Sequence, residues 1–592
     1  MNYMKQWQRS FVTRFLVFTF LLSNLPTRAQ DIPPSEELSL GSSVFIFRGS
    51  TKSVQKKYIA REPARTTRTK TQRIASTRKL RSQYNTLAKV VTRRKRITPV
   101  AEENLDISRA TPKEASIVLT GAGQYSLEKA DFDKSINFYR GASNLDEKNQ
   151  DAKLGLSDAL ASKGDDLLKN EKTDEAEKSY QEALKFNDKN SSAYAGLGEV
   201  YDTLNQNQKA IASYEKALEL DKDLTEVYTP LGILYYRQGE IAKADDFLTK
   251  ALAVSKGDAE TQYFLGLIRY KQTRYQDALA AFDQSLKLDA SSAETHYSLG
   301  ETYEKLKRPN DATLEFKKAS ELNPKYVEAW FALGSAYYEQ GNYKDAAAAY
   351  KEVTKLQNTN GEAHANLGDT YRLLNQLGDA EGEYRLATYF IKDDAELFSK
   401  FGYVLGAQKK WEGSIDALKK ANLLSPDAID YTNVGWAYYN WAQIDLKANR
   451  PVEGKAKLQL GKESLQKAVS LNPNLAPAFL NLGITLTDLG EFQGSSEALK
   501  RAVALRKDWL FATNELGLAY RKLNDYDNAV KQFQKVVEID KRFVIGYYNL
   551  GEAQVSGGYY NDARKTVEKL KPLNRAFANA IEIMILKATK KK

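Results

Sequence analysis

The chain has 592 residues, 42% of them hydrophobic and 28% charged, which is the composition of a folded protein. It has no cysteine and only two histidines, so disulfides, thiol catalysis and cysteine-ligated zinc are excluded, and histidine-based chemistry is disfavoured. The net charge of +11 is uneven, because residues 48–96 carry 17 Lys or Arg against one acidic residue. We therefore predict no catalytic residues, no metal site and no cofactor.

The first 29 residues have the order of a secretory signal peptide. Lys5, Arg9 and Arg14 precede an apolar run at residues 15–22, and Ala29 ends a small-residue cleavage site. The run is too short for the roughly 20 residues that span a bilayer, and no later segment reaches that length. We expect a cleaved signal peptide and a location in the periplasm, in the cell envelope or outside the cell. The alternatives are an uncleaved anchor and a chance apolar stretch.

Residues 30–115 are predicted to form a basic, largely disordered arm with one short strand within residues 38–47. In residues 48–98, Lys and Arg alternate with Ser, Thr and Gln, and large apolar residues are few. Such a segment cannot bury enough surface to offset its chain entropy. The expected partner of this segment is an anionic envelope surface, to which each basic residue adds about 1 kcal/mol of binding free energy. Export argues against nucleic acid as a partner. The alternative to surface binding is that the segment is a solvated linker.

From about residue 116 the chain repeats itself. A small residue follows each repeat glycine after twelve positions, and a large residue follows four positions later. Small residues let two antiparallel helices approach closely, and large ones fill the space around the crossing. Each copy therefore predicts a helix hairpin that must stack on its neighbours to bury its apolar faces. Seven consecutive glycines keep the 34-residue period: Gly198, Gly232, Gly266, Gly300, Gly334, Gly368 and Gly402.

This pattern resembles the tetratricopeptide repeat of secreted or periplasmic bacterial proteins. The resemblance implies an all-α, right-handed superhelical solenoid of about 13 hairpins over residues 116–572, closed by a capping helix over 573–592. Gly435 and Gly483 are 48 residues apart, so an elongated hairpin is predicted at about 428–474. The best-matching unit, residues 329–358, carries the family's core residues Trp330, Leu333, Gly334, Tyr337, Ala346 and Tyr350.

In that family the first helix of each hairpin lines a concave groove that binds peptides. With the glycine counted as position 8, positions 5, 9 and 12 face the groove. A row of exposed aromatic side chains there would offer a large contact area to a partner. The alternative is that neighbouring helices bury the rings. The predicted row comprises Tyr236, Tyr263, Tyr270, Tyr297, Phe331, Tyr338, Tyr403, Trp436 and Tyr439.

Asparagine recurs at position 6. Similar asparagines grip the peptide backbone in the repeat superhelix of O-GlcNAc transferase, and a carboxamide suits this because it both donates and accepts hydrogen bonds. The column is interrupted, for instance by Lys400. The predicted backbone-binding residues are Asn366, Asn433, Asn481 and Asn549.

These features predict a protein–protein interaction scaffold that binds partner peptides or proteins in the groove, and not an enzyme. The alternative is an envelope-polymer or carbohydrate-binding protein that uses the basic arm and the tyrosine row.

Overall fold

The computed structural model describes residues 45–48, 97–254 and 258–589, and the main chain of residues 37–40 and 43–44. The predicted signal peptide and the basic segment 48–98, apart from Arg48 and residues 97–98, lie outside the described residues. The chain forms two compact units, Ala60–Ala332 and Met1–Ile59 together with Leu333–Lys592.

The unit Ala60–Ala332 consists of helices in the part that the structure describes. Two short 3-10 turns, Glu102–Asn104 and Thr225–Val227, accompany them. Its twelve complete α-helices are α1 Pro112–Glu128, α2 Phe132–Leu145, α3 Gln150–Lys169, α4 Thr173–Phe186, α5 Ser191–Thr203, α6 Asn207–Leu220, α7 Tyr228–Gln238, α8 Ile241–Val254, α9 Ala259–Lys271, α10 Tyr275–Leu288, α11 Ala293–Lys305 and α12 Pro309–Leu322.

The other unit begins within α13, Val327–Glu339, and also contains a two-stranded antiparallel sheet of β1, Glu37–Leu40, and β2, Ser43–Ile46. Its helices are α14 Tyr343–Leu356, α15 Gly361–Leu373, α16 Leu377–Phe390, α17 Ala395–Ala407, α18 Trp411–Leu424, α19 Ala428–Lys447, α20 Pro451–Leu471, α21 Ala476–Leu489, α22 Phe492–Leu505, α23 Leu510–Lys522, α24 Tyr526–Ile539, α25 Val544–Ser556, α26 Tyr560–Leu570 and α27 Arg575–Thr589.

Successive helices pair as hairpins, α1 with α2 to α11 with α12 in one unit and α15 with α16 to α25 with α26 in the other, and α27 packs on the last pair. The helices α13 and α14 meet where Gly334 lies against Tyr350. These hairpins confirm the predicted all-α fold of repeated helix pairs. The helices α19 and α20, which lie where the elongated hairpin was predicted, have 20 and 21 residues. The first helix begins at Pro112, slightly before the expected position. Thr111 and Glu114 cap its start reciprocally, which satisfies amide groups that would otherwise lack partners.

Within residues 38–47 the sequence predicted one strand, and the structure has two. Residues 37–40 pair with residues 43–46, with Glu37 opposite Ile46 and Leu40 opposite Ser43. An isolated strand leaves its backbone amide and carbonyl groups without partners, whereas an antiparallel pair satisfies many of them locally. The hairpin therefore forms where a single strand was expected.

The repeat glycines lie where the two helices of a hairpin cross. A Cβ added at Gly334 would lie 2.8 Å from both Cδ1 and Cε1 of Tyr350, and the Tyr350 ring is fully buried. Ala346, on the same helix as Tyr350, is also fully buried. The small and large columns thus meet across the crossing, as their spacing predicted.

Replacing Gly334 with valine should destabilise the unit that contains it. The Tyr350 ring is fully buried, and overpacking of this kind costs about 1–3 kcal/mol. Chemical denaturation followed by circular dichroism would measure the loss. Gly382→Val is the matched control: no atom lies within 4 Å of a Cβ added there, so the same substitution should change stability far less. Equal stability of Gly334→Val and the natural chain would contradict the packing.

The final helix α27 covers the apolar face of the last hairpin. Ile581 and Ile585 are buried, and a Cβ added at Gly551 would lie only 2.5 Å from Cδ1 of Ile581. The terminal repeat is thereby shielded from water on its inner face, which is the role expected of a capping helix.

Candidate functional site

Residues 45–48, here called the docked segment, lie against the first helices of successive hairpins. β2 packs on α19 and α21, while side chains of the segment reach α15 and α17. Phe45 is 0% exposed, and Ile46 and Phe47 are each 4% exposed. The chain's own segment therefore occupies the helix faces from which the sequence predicted a groove.

Phe45 fills a slot between two aromatic rings. Its ring stacks on Tyr403 of α17 at a centroid distance of 4.9 Å and on Trp436 of α19 at 4.4 Å, with interplanar angles of 6° and 11°. Gly406 forms the floor, because a Cβ there would lie 2.8 Å from Cε1 and Cζ of Phe45. Aromatic pairs of this kind add about 0.5–1.5 kcal/mol each beyond the area they bury. The slot thus selects a flat aromatic side chain.

Asn433 of α19 binds the main chain of the docked segment. The Ile46 amide donates to Asn433 Oδ1 at 2.9 Å, and Asn433 Nδ2 donates to the Ile46 carbonyl at 2.6 Å. Asn433 is fully buried, so both of its polar groups depend on these partners. The carboxamide therefore recognises an extended backbone independently of the side chain at that position.

Ile46 and Phe47 point to opposite sides, as consecutive residues of an extended segment do. Ile46 joins an apolar cluster with Leu480 and Ile484 of α21. Phe47 makes an edge contact with Tyr403 at 5.0 Å, and the guanidinium of Arg372 on α15 lies 4.0 Å from its ring centroid. Such cation–π contacts strengthen when they are shielded from water. Two neighbouring side chains thus meet two different environments.

Arg48 closes the segment with an ion pair at the start of α19. Its Nη1 contacts Asp430 Oδ2, and its Nε lies 3.6 Å from Asp427 Oδ2. Ser399 donates to the other oxygen of Asp430 at 2.5 Å. Burial raises the pKa of Asp430 to about 6, against the opposing effects of Ser399 and Arg48. A buried carboxylate of this kind needs a cationic partner.

The repeat register explains why these side chains converge. Tyr403 and Trp436 each follow a repeat glycine and so share position 9, Asn433 occupies position 6, and Arg372 occupies position 12. Equivalent positions of stacked hairpins face the same side. The structure therefore brings Tyr403, Trp436 and Asn433 together around one segment, and Tyr439 joins the apolar cluster of Ile46.

The other predicted groove residues lie elsewhere. Most of the aromatic rings are buried between neighbouring helices, so the expectation of an exposed row is wrong for them. Tyr263, for example, packs against Phe282 of α10 at 5.9 Å, and Tyr297 packs against Phe316 of α12 at 5.6 Å. Their capacity to bind a partner stays a prediction. Tyr236, Tyr263, Tyr297, Phe331 and Tyr338 are buried, while Tyr270 is half-buried.

The remaining position-6 asparagines are buried as well. Asn549 donates to Asn514 Oδ1 at 2.9 Å, so its carboxamide is used between neighbouring repeats. Asn366 and Asn481 are 1% and 3% exposed. For all three residues, binding of a peptide backbone stays a prediction.

The docked segment itself was not predicted from the sequence, and neither were the roles of Arg372, Gly406 and Asp430. One signal was present: apolar residues at 44–47 directly precede Arg48 at the edge of the basic segment. Aromatic side chains and asparagines were the residue types expected at groove positions, so an arginine and a glycine on the same helix faces did not stand out.

A carboxyl group of α11 should make folding of its own unit depend on pH. Burial raises the pKa of Glu301 from 4.5 to about 7. The negative charge of Glu304 raises this pKa further, whereas the hydrogen bond that Tyr297 donates to the Glu301 carboxylate at 3.3 Å lowers it. Between these values the folded state holds a proton that the unfolded state has lost, so the free energy of unfolding falls as pH rises.

Glu301→Gln should flatten that dependence. The measurement is chemical denaturation at pH of about 4.5, 6 and 7.5 for the variant and the natural chain. An identical loss of stability in both chains across this range would rule out Glu301 as the source.

Among residues 97–254 and 258–589, no group of three or more acidic or histidine side chains is placed to hold a metal ion. In the same ranges, no helix combines the length and apolar character needed to cross a bilayer.

The repeats match family models. Models described as tetratricopeptide repeats match residues 337–399, 478–508 and 517–558. A model described as the C-terminal domain of cilia and flagella-associated protein 70 matches residues 85–367. No curated protein matches the chain.

Several solved structures are similar to this chain over part or most of its length. YrrB, described as a TPR protein with an unusual peptide-binding site, is 22% identical over 31% of this chain and 95% of its own, with a TM-score of 0.28. Pseudomonas aeruginosa PilF is 21% identical over 36% and 96%, with a TM-score of 0.32. The APC/C complex Cut9–Hcn1 is 13% identical over 80% and 96%, with a TM-score of 0.31.

Proposed function

We propose that the chain is a scaffold that binds extended peptide segments of partner proteins. Models of the tetratricopeptide repeat match three of its stretches, and proteins with this repeat generally mediate protein–protein interaction. The binding surface consists of α15, α17, α19 and α21. The role is recognition and not catalysis.

The observation that carries this proposal is the pair of hydrogen bonds between Asn433 and the main chain of Ile46. A carboxamide that both donates to and accepts from one residue requires an extended backbone and tolerates different side chains there. Stacking of Phe45 between Tyr403 and Trp436 then supplies side-chain selectivity. Backbone recognition plus one aromatic slot is the combination that binds a linear segment of another protein.

A selection from a library of ten-residue peptides would test the proposal. The bait is the chain with Phe45→Ala and Arg48→Glu, in which the docked segment no longer fits its site. The same chain carrying Asn433→Ala serves as the matched control. We expect peptides that bind the first chain and lose at least tenfold in affinity on the second. If every enriched peptide binds both equally, backbone recognition by Asn433 is not the basis of binding.

We further propose that the protein acts outside the cytoplasm. Support comes from the sequence alone: basic residues, a short apolar run and a small-residue site over residues 5–29, followed by the basic segment 48–98, which suits an anionic envelope surface. N-terminal mass spectrometry of the natural protein should find a chain that begins at Gln30. A chain that begins at Met1 in every cell fraction would contradict cleavage.

A further inference from the structure

The docked segment shows which side chains the groove accepts. We infer that the partner segment recognised at α15, α17, α19 and α21 has the order aromatic, aliphatic, aromatic, arginine, and that it binds by displacing residues 45–48, which act as a built-in competitor. This inference rests on the proposed function and specifies the ligand of the same site.

The first position requires an aromatic ring. The rings of Tyr403 and Trp436 are nearly parallel to Phe45, with Gly406 directly beneath, so the space between them is flat. A branched aliphatic side chain cannot stack on both faces, and a shorter one leaves the slot partly empty. Either replacement loses stacked contacts with Tyr403 and Trp436 and so weakens binding.

The second and third positions face opposite sides of the segment. The second enters the apolar cluster with Leu480 and Ile484, where an aliphatic side chain adds no unpaired polar group. The third lies under the guanidinium of Arg372 at 4.0 Å, and a cation is attracted by the face of an aromatic ring. These environments are not interchangeable, so the order of the residues is fixed.

The fourth position requires arginine. Asp430 is fully buried, and its Oδ1 already accepts from Ser399, which leaves Oδ2 for the incoming cation. Arg48 also approaches Asp427 through a second nitrogen at 3.6 Å. A guanidinium presents several donors in a fixed plane, whereas a lysine ammonium is a single point and does not reproduce this geometry.

The competitor is attached to the groove through the chain itself. Forty-eight residues, 49–96, connect Arg48 to the next described part of the chain. A tethered ligand competes intramolecularly, at an effective concentration that the linker sets and that does not depend on the amount of protein. A partner with the same four residues therefore binds more weakly to the natural chain than to one whose own segment is disabled.

The experiment uses a fluorescein-labelled peptide with the sequence of residues 42–50, SSVFIFRGS. Its affinity is measured by fluorescence anisotropy for the full natural chain and for the chain with Phe45→Ala and Arg48→Glu. We expect at least tenfold tighter binding to the variant. Arg48→Glu alone, which leaves the apolar contacts intact, should give an intermediate value. The matched control Lys52→Glu makes the same charge change outside the docked segment and should behave as the natural chain.

Peptide variants test the order of side chains. Replacing the first phenylalanine with leucine, or the arginine with lysine, should each reduce affinity for the disabled chain at least fivefold, and exchanging the isoleucine with the second phenylalanine should do the same. Equal affinities of all these peptides would overturn the order. Equal affinity of SSVFIFRGS for the natural and disabled chains would overturn displacement.

One further result separates this inference from the proposed function. If SSVFIFRGS does not bind the disabled chain while library peptides of other patterns do so through Asn433, the stated side-chain order is wrong and the peptide-binding function stands. If no peptide binds in a manner that depends on Asn433, both are wrong.

Discussion

Asn433→Ala is expected to release the docked segment while the repeats remain folded. The variant loses both hydrogen bonds to Ile46, and the Ile46 amide and carbonyl are left without partners in a buried position. An unsatisfied buried polar group costs about 1–3 kcal/mol, so opening of the segment should become roughly ten- to a hundredfold more frequent. Amide hydrogen exchange followed by mass spectrometry, on the peptide that contains residues 45–48, would report the change.

Asn549→Ala is the matched control for this prediction. Asn549 occupies the same repeat position, is buried to the same degree and donates to Asn514, away from the docked segment. Its removal should leave exchange at residues 45–48 as it is in the natural chain. Unchanged exchange there in the Asn433→Ala chain would show that the carboxamide does not hold the segment.

Gly406→Ala is expected to eject Phe45 from its slot. The new Cβ would lie 2.8 Å from two atoms of the Phe45 ring and 3.0 Å from Ser414 Oγ. Because Tyr403 and Trp436 hold the ring on both faces, it cannot tilt away without breaking the stack. We expect exchange at residues 45–48 to rise at least tenfold, while the helical circular dichroism signal is retained.

The helix propensity of alanine acts against a general loss of stability in this variant. Alanine is favoured over glycine within a helix by about 1 kcal/mol, so α17 itself should not weaken. Gly378→Ala in α16 is the control, since no atom lies within 4 Å of its added Cβ and it should leave the segment in place. A Gly406→Ala chain that is more stable and keeps residues 45–48 protected would contradict the slot.

Much of the fold could be predicted because the spacing of the small residues determines where two helices can pack closely. Gly334 and Tyr350 meet across a helix crossing, and their spacing of sixteen residues recurs through the repeats. The interval of 48 residues between Gly435 and Gly483 likewise predicted long helices where α19 and α20 lie. These are local relations, since each hairpin contacts chiefly itself and its neighbours.

The site was predicted only in part, because it depends on contacts between residues far apart in sequence. Position 6 identified Asn433 as able to grip a backbone, but its partner Ile46 is 387 residues away. No periodicity connects a four-residue segment to one stretch of the solenoid. The charge pattern did not identify Asp430 as a binding residue either. Acidic residues recur in the first turns of these helices, and its partner Arg48 is distant in sequence.

The predicted row of aromatic residues shows what repeat position does not determine. Repeat position placed Tyr403 and Trp436 on the helix face that contacts residues 45–48, whereas other rings of the predicted row, such as Tyr297 at position 5, pack against a neighbouring helix. Whether a ring at such a position is buried by its own repeats or by a bound segment depends on the size of its neighbours. Sequence spacing alone does not determine that.

A photoreactive diazirine analogue of leucine placed at position 46 would test the central claim most directly. The analogue is close to isoleucine in size, so it suits the apolar cluster that Ile46 enters, and mass spectrometry of the irradiated full chain would map its attachment. We predict intramolecular cross-links to α19 and α21, concentrated near Asn433, Leu480 and Ile484. Cross-links spread over other helices, with none to α19 or α21, would contradict the account.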